Sequence, residues 1–173
     1  PGWYTQRDFA AGMAQWGSHT ILQCQLDLGL GDTSAVDYNY TDMFVSNAGP
    51  SPWTRGEAIS EGMSIRYANG VKLVASLTGW RGPCGVRYEG TEGWVSTADG
   101  YAKPDVSSPV LEGAFNKLVQ DYTVRNQRVL NHVRDFLNCV RSRRTPVTSA
   151  SVACNTMTTN LIMDMSLDLK RDL

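Results

Sequence analysis

A histidine and a side-chain amide stand four residues apart near the start of this chain, within Arg7-Asp8-Phe9-Ala10-Ala11-Gly12-Met13-Ala14-Gln15-Trp16-Gly17-Ser18-His19-Thr20-Ile21. On a helix that spacing puts both on one face, about one turn apart. An imidazole can give or take a proton near neutral pH, and an amide beside it can orient the ring or hold a substrate hydroxyl. His19 and Gln15 are therefore the candidate catalytic residues. Arg7 and Asp8, just before the helix, are placed to meet a polar substrate, and Trp16 offers an aromatic face beside them. Each has a plainer reading as well: a helix histidine bonded within the fold, a local ion pair, a core tryptophan. Gly12 and Gly17 leave room for close approach to the backbone. The stretch begins so near residue 1 that a preceding segment is expected.

Other chemistries find little support. Gly29-Leu30-Gly31-Asp32-Thr33-Ser34 follows a helix rather than a strand and lacks a third glycine, so it is not a dinucleotide cradle. No Walker sequence, nucleophile elbow or His-Glu-x-x-His occurs. The one pair of carboxylates at helical spacing, Asp164 and Asp168, reads as a solvated face, and no metal site is expected. Cys24, Cys84, Cys139 and Cys154 lack metal or redox spacing, which points to a reducing compartment. His132 sits on an amphipathic pattern and reads as structural or exposed. Trp3, Tyr4, Trp16, Trp53, Trp80 and Trp94 include rings suited to sugar stacking, although core packing would account for most of them.

The bulk properties fit an ordinary globular chain. Of 173 residues, 42% are apolar and 19% charged, with 16 basic and 17 acidic side chains. A net charge of −1 favours neither nucleic acid nor an anionic membrane as a partner. Arg141, Arg143 and Arg144 form the only basic cluster, at the end of a helical pattern where they complement the helix dipole. No apolar run reaches the roughly 20 residues of a membrane span, and no signal peptide is visible.

The elements that would position these residues follow from periodicity. A first helix is expected from Gly12 to Leu28, with Met13, Trp16, Thr20, Cys24 and Leu28 as its inward stripe and Gly29 and Gly31 as its stop. Residues 35–40 read as a strand and 46–56 as a loop. Asn69-Gly70 between Met63–Ala68 and Val71–Ala75 is a strong hairpin signal. A second strand pair spans 85–88 and 93–96 about a turn at 89–92. Residues 99–113 read as loop. From Asn126 a helix carries Val129, Leu130, Val133, Phe136, Leu137 and Val140 as one stripe. A last helix, capped by Ser149 or Ser151, carries Leu161, Ile162, Met165 and Leu169 on one side. The order predicts an α+β fold: one open, mostly antiparallel sheet with helices on one face.

Four segments in this order resemble the C-terminal domain of the Gfo/Idh/MocA oxidoreductases. They are Ala11–Ile21 continuing to Cys24-Gln25; Tyr67-Ala68-Asn69-Gly70-Val71-Lys72-Leu73; Tyr88-Glu89-Gly90-Thr91-Glu92-Gly93-Trp94-Val95; and Asn131–Leu137 with Val140 and Ser142–Val147. Together they cover nearly all of residues 1–173, read here as one substrate and oligomerisation domain. The resemblance implies a parent enzyme that oxidises or reduces a hydroxyl of a sugar or cyclitol. NAD or NADP and a catalytic lysine would come from a nucleotide-binding domain that this chain lacks. Ala102-Lys103-Pro104 echoes the lysine motif in letters only. The family's aspartates fall at Gln15 and Leu22, while its histidine falls at His19. The resemblance also implies a homodimer or higher homo-oligomer, expected here through the open sheet face, and a cytoplasmic parent. Two alternatives accompany it: a non-catalytic sugar-binding or oligomerisation module, and an NAD-dependent glycoside hydrolase of the same family.

Overall fold

The computed structural model describes residues 13–40, 63–75, 85–98, 103–126 and 131–173. Helix α1 (Met13–Asp27) is followed by strands β1 (Ala35–Asn39), β2 (Met63–Tyr67), β3 (Lys72–Ala75), β4 (Gly85–Gly90), β5 (Gly93–Ala98) and β6 (Asp105–Val106). Helices α2 (Pro109–Asn126), α3 (His132–Ser142) and α4 (Ala150–Leu169) complete the order. The fold is α+β. Among the described residues its strands form two antiparallel three-stranded sheets, β1-β2-β3 and β4-β5-β6, rather than the single open sheet expected.

Local chemistry explains most boundaries. Gly29 takes φ +69° after the last turn of α1, where a side chain would be strained, and Leu30 N–H then closes on the Gln25 carbonyl at 2.6 Å. The β2–β3 hairpin turns at Asn69-Gly70, with Gly70 at φ +88° and Asn69 Oδ1 accepting from Val71 N–H at 3.1 Å. In the second sheet Gly90 pairs with Gly93, so the turn tightens to Thr91-Glu92 and both strands run longer than expected. Asn131 and Ser149 cap α3 and α4 by accepting from Arg134 N–H (3.0 Å) and Val152 N–H (3.3 Å).

The core sits between α1, α4 and the first sheet. Ile21, Leu30, Tyr38, Met63, Ile65, Tyr67, Leu73 and Met163 are its buried members. Met63, Ile65 and Tyr67 alternate inward along β2, while Arg66 and Asp37 meet on the far face at 3.9 Å. That far face also carries Lys72 and Asn39, so it is polar at the place where an apolar interface was expected. Of the strand residues expected to supply that interface, Ile65, Tyr67, Leu73 and Val86 are buried and Trp94 is half-buried. Val36 is the extra residue of a bulge in β1 and points into solvent. The outer edge of β1 is covered by the end of the chain: Tyr38 and Leu173 exchange two backbone hydrogen bonds of 3.0 Å, and Asp172 accepts from Tyr40 N–H at 2.8 Å.

Several expectations need correction. The inward face of α1 is Gly17, Ile21 and Gln25; Thr20 and Cys24 are half-buried at its margin and Leu28 is exposed. On α4 the buried residues are Val152, Thr156, Thr159, Asn160, Met163 and Ser166, whereas Leu161, Met165 and Leu169 face solvent. The apolar stripe of α3 (Val133, Phe136, Leu137 and Val140) is exposed too. For α1 and α4 the reason is that small polar side chains, among them Gln25, Thr156, Thr159 and Asn160, face each other where the two helices meet. Residues 99–113 are not all loop: Asp105 and Val106 add an edge strand to β5, and Pro109 opens α2 at a position that does not need its missing N–H. The expected loop at 46–56, together with Val129 and Leu130, lies outside the described residues.

Two glycine substitutions separate conformation from contact. A Cβ on Gly29 meets nothing within 4 Å, so Gly29→Ala should cost about 1 kcal/mol, the left-handed backbone alone. A Cβ on Gly93, at φ +140°, would lie 2.2 Å from Ser107 Oγ and 3.1 Å from Leu111 Cδ1. Gly93→Ala should therefore cost about 2–4 kcal/mol in urea unfolding, clearly more than Gly29→Ala.

Candidate functional site

The candidate residues distribute unevenly over this framework. Arg7 and Asp8 lie outside the described residues. Gln15 and Trp16 fall in the first turn of α1, and their side chains also lie outside the described set. His19 is described: it is exposed, roughly opposite the Gly17–Ile21–Gln25 face on the helix circumference. Positions 15 and 19 are one turn apart along α1, so a reactant in solvent can reach the imidazole without displacing the core. Leu22 is half-buried. His132 is exposed on α3.

Behind His19, on the inward side of α1, lies a buried polar seam that the sequence reading passed over. Gln25 is fully buried. Its Nε2 donates to Tyr67 Oη at 3.0 Å and to Thr159 Oγ1 at 3.3 Å, and its Oε1 accepts from Thr156 Oγ1. One amide thus joins α1, β2 and α4. Burial pushes the Tyr67 phenol above its ordinary value, with the Gln25 hydrogen bond pulling the other way. Asn160, also fully buried, makes no hydrogen bond through either side-chain atom. It lies against Gly17, where a Cβ would come 2.7 Å from Asn160 Oδ1. Gly17 therefore serves helix approach rather than the approach of a substrate.

A second cluster ties α1 to the other sheet. Tyr88 Oη donates to Asp27 Oδ2, and Cys24 lies beside the same hydroxyl. Burial pushes the Cys24 thiol up to about 12, against a smaller opposing effect of its hydrogen bond with Tyr88. Such a thiol is not a nucleophile at neutral pH, so this cysteine packs rather than reacts. Cys139 is buried, Cys154 is exposed, and all three are free. Among the described residues no group of three or more His, Cys, Asp or Glu is placed to hold a metal ion.

The second sheet carries polar side chains in register on one face. Arg87 pairs with Ser96, and Ser96 pairs with Asp105; two pairs along, Glu89 opposes Trp94. Arg87 Cζ lies 4.2 Å from the centre of the Trp94 ring, a cation–π contact, and its Nε is 2.9 Å from Glu89 Oε1. Burial pulls this guanidinium below its ordinary value, while the Glu89 and Asp105 charges hold it up. Of this group only Trp94 had been singled out from the sequence. Period-two alternation places Arg87 and Glu89 on one strand face, but it gives no sign that the face is covered.

Neither a family model, nor a curated protein, nor a solved structure matches this chain. No helix among the described residues is long and apolar enough to cross a membrane.

The buried hydroxyls and thiol fix the response to alkali. Tyr38, Tyr67, Tyr88 and Cys24 all hold their protons more tightly folded than at their ordinary values of 10.0 and 9.0. The folded state then binds more protons than the unfolded state above those values, so stability falls as pH rises through them. For Cys24 the loss runs from about 9 toward about 12. Urea midpoints should be flat from neutral pH to ~9 and decline above it, and Tyr67→Phe should make the decline shallower. Gln25→Leu, which strands two hydroxyls, should cost about 2–4 kcal/mol at neutral pH.

Proposed function

We propose that this chain is the substrate-binding half of an NAD(P)-dependent oxidoreductase acting on a hydroxyl of a sugar or cyclitol. The observation that carries the proposal is the exposure of His19 on the solvent side of α1, one turn from position 15, within the segment that bears the closest motif resemblance. The other three resembling segments fall at the β2–β3 hairpin, at the β4–β5 hairpin, and along α3 with its exit.

The described residues of this chain do not fit a dinucleotide. Gly29-Leu30-Gly31 closes α1 and leads into β1, the reverse of the strand, glycine turn and helix order that presents amides to a pyrophosphate. Gly31 is also packed against α4, where a Cβ would lie 3.2 Å from Val152 Cγ2. NAD or NADP therefore belongs to another part of the parent protein. The role left to this chain is to hold the substrate hydroxyl and to move its proton. His19 is the acid/base group, and Gln15 is the residue that would hold the hydroxyl against it. Arg7, Asp8 and Trp16 complete the substrate contacts in this reading.

A second reading has its own support. Gln15 cannot ionise and Leu22 is apolar, so an imidazolium at position 19 lacks the two carboxylates that the resemblance implies. A sugar-binding or oligomerisation module that has lost its chemistry accounts for both residues. For the module, the exposed apolar residues of α3 and α4 are better interface candidates than the polar far face of the first sheet.

Two measurements separate these readings. The chain has only two histidines, so the imidazole signals of His19 and His132 can be resolved by NMR. Titration with myo-inositol or glucose should move the His19 signal saturably and leave that of His132 in place. No shift of His19 would count against both readings of α1 as a sugar site. In the full-length parent, His19→Ala should lower turnover by about 10² or more with little change in Tm, because an exposed imidazole contributes little packing. Sugar binding without turnover, insensitive to that substitution, would leave the module.

A further inference from the structure

The polar row on the second sheet has an imbalance that its own residues do not resolve. The Arg87 side chain is 5% exposed. Its Nη1 and Nη2 are buried and make no hydrogen bond, while its Nε is 2.9 Å from Glu89 Oε1. Asp105 Oδ2 is buried and also without a partner. The two orphaned groups lie in one register row, on either side of Ser96. Ser96 does not bridge them, because its hydroxyl donates back to the Val86 carbonyl at 3.3 Å. Donors that need an acceptor thus stand across from an acceptor that needs a donor. Leaving either unpaired is costly in a buried place.

The charges restrict what can satisfy both groups. Arg87 repels a cation. Glu89 and Asp105 repel an anion, since a phosphate or carboxylate would add a further negative charge beside two carboxylates. A neutral hydroxyl accepts from the guanidinium and donates to Asp105, so it satisfies both orphaned groups without adding charge. The Trp94 ring, already stacked on Arg87, holds the guanidinium plane fixed. Asp105 lies on the two-residue strand β6, which is held to β5 by Ser107 N–H on the Trp94 carbonyl (3.0 Å) and by Trp94 N–H on Ser107 Oγ (2.9 Å).

We propose that Arg87 and Asp105, with Trp94 as platform, form a binding site for a hydroxyl group of a small neutral polyol on the second sheet. It stands on different residues from the His19 face and does not depend on the oxidoreductase reading.

The test uses the indole N–H signals of the whole chain, with that of Trp94 assigned by its loss in Trp94→Phe. Glycerol and myo-inositol should shift this signal saturably, while glycine and inorganic phosphate at equal concentration should not. Asp105→Asn, close to isosteric, should weaken the polyol response by about 10-fold, as expected for a lost hydrogen bond to a charged group. The β4 and β5 amide signals report whether that variant keeps its fold; if it does not, Arg87→Gln is measured in the same way. The wild-type comparison needs neither variant. Three outcomes would overturn the proposal: an unmoved Trp94 signal, meaning that no polyol reaches the two groups; a response to phosphate or glycine; or an undiminished response in a folded Asp105→Asn. Movement of Trp94 with His19 unmoved would establish this site while removing support from the α1 reading.

Discussion

The primary amide of Gln25 is the constraint on which the rest of the molecule depends. It is fully buried, it bonds to a strand on one side and a helix on the other, and its three partners come from two elements distant in sequence. A buried amide tolerates only one arrangement of neighbours, because a small rotation leaves donors and acceptors stranded at full desolvation cost. Ile21, one turn earlier, and Met163 on α4 then supply the apolar burial around a geometry that the hydrogen bonds have fixed. The order in which α1, β2 and α4 meet is therefore set by polar groups, with hydrophobic contacts filling in about them.

That inversion explains where sequence periodicity succeeded and where it failed. The hairpin at Asn69-Gly70, the glycine stop at Gly29 and a serine cap at 149 or 151 were legible, because each depends on a local backbone requirement that only a few residue types meet. The inward faces of α1 and α4 were not. Periodicity assigns the core to the bulkiest apolar stripe, yet Leu161, Met165 and Leu169 point outward while Thr156, Thr159, Asn160 and Ser166 point in. Thr156 and Thr159 are threonines that pair with a partner from α1, information that no single helix contains. Helix α2 was missed for a different reason: Pro109 was taken as a breaker where it is a first-turn residue.

The functional residues divide along the same line. His19 is a chemically distinctive side chain that the sequence singles out, but its place on the outer face of α1 follows from the inward Gly17, Ile21 and Gln25, which spacing did not give. The Arg87, Trp94 and Asp105 group is invisible to spacing, because its members come from three strands and meet only through register. A lone arginine in a strand reads as a solvated charge, and nothing local tells that this one is covered. Its burial depends on what packs over the sheet, which is a tertiary fact.

The seam between α1 and α4 also bears on how the chain acquires its structure as it is made. Gln25 and Thr159, joined by one hydrogen bond, are separated by 134 residues. At the usual pace of ribosomal synthesis, on the order of 5–20 residues per second, α1 emerges several seconds or more before its partner helix exists. During that interval the amide of Gln25 and the faces of Ile21 and Ile65 have no partner from α4. The two hairpins can form at once from contiguous sequence, whereas the central seam must close late and over a long loop. The seam is thus open to chaperone capture from the synthesis of α1 until α4 clears the exit tunnel.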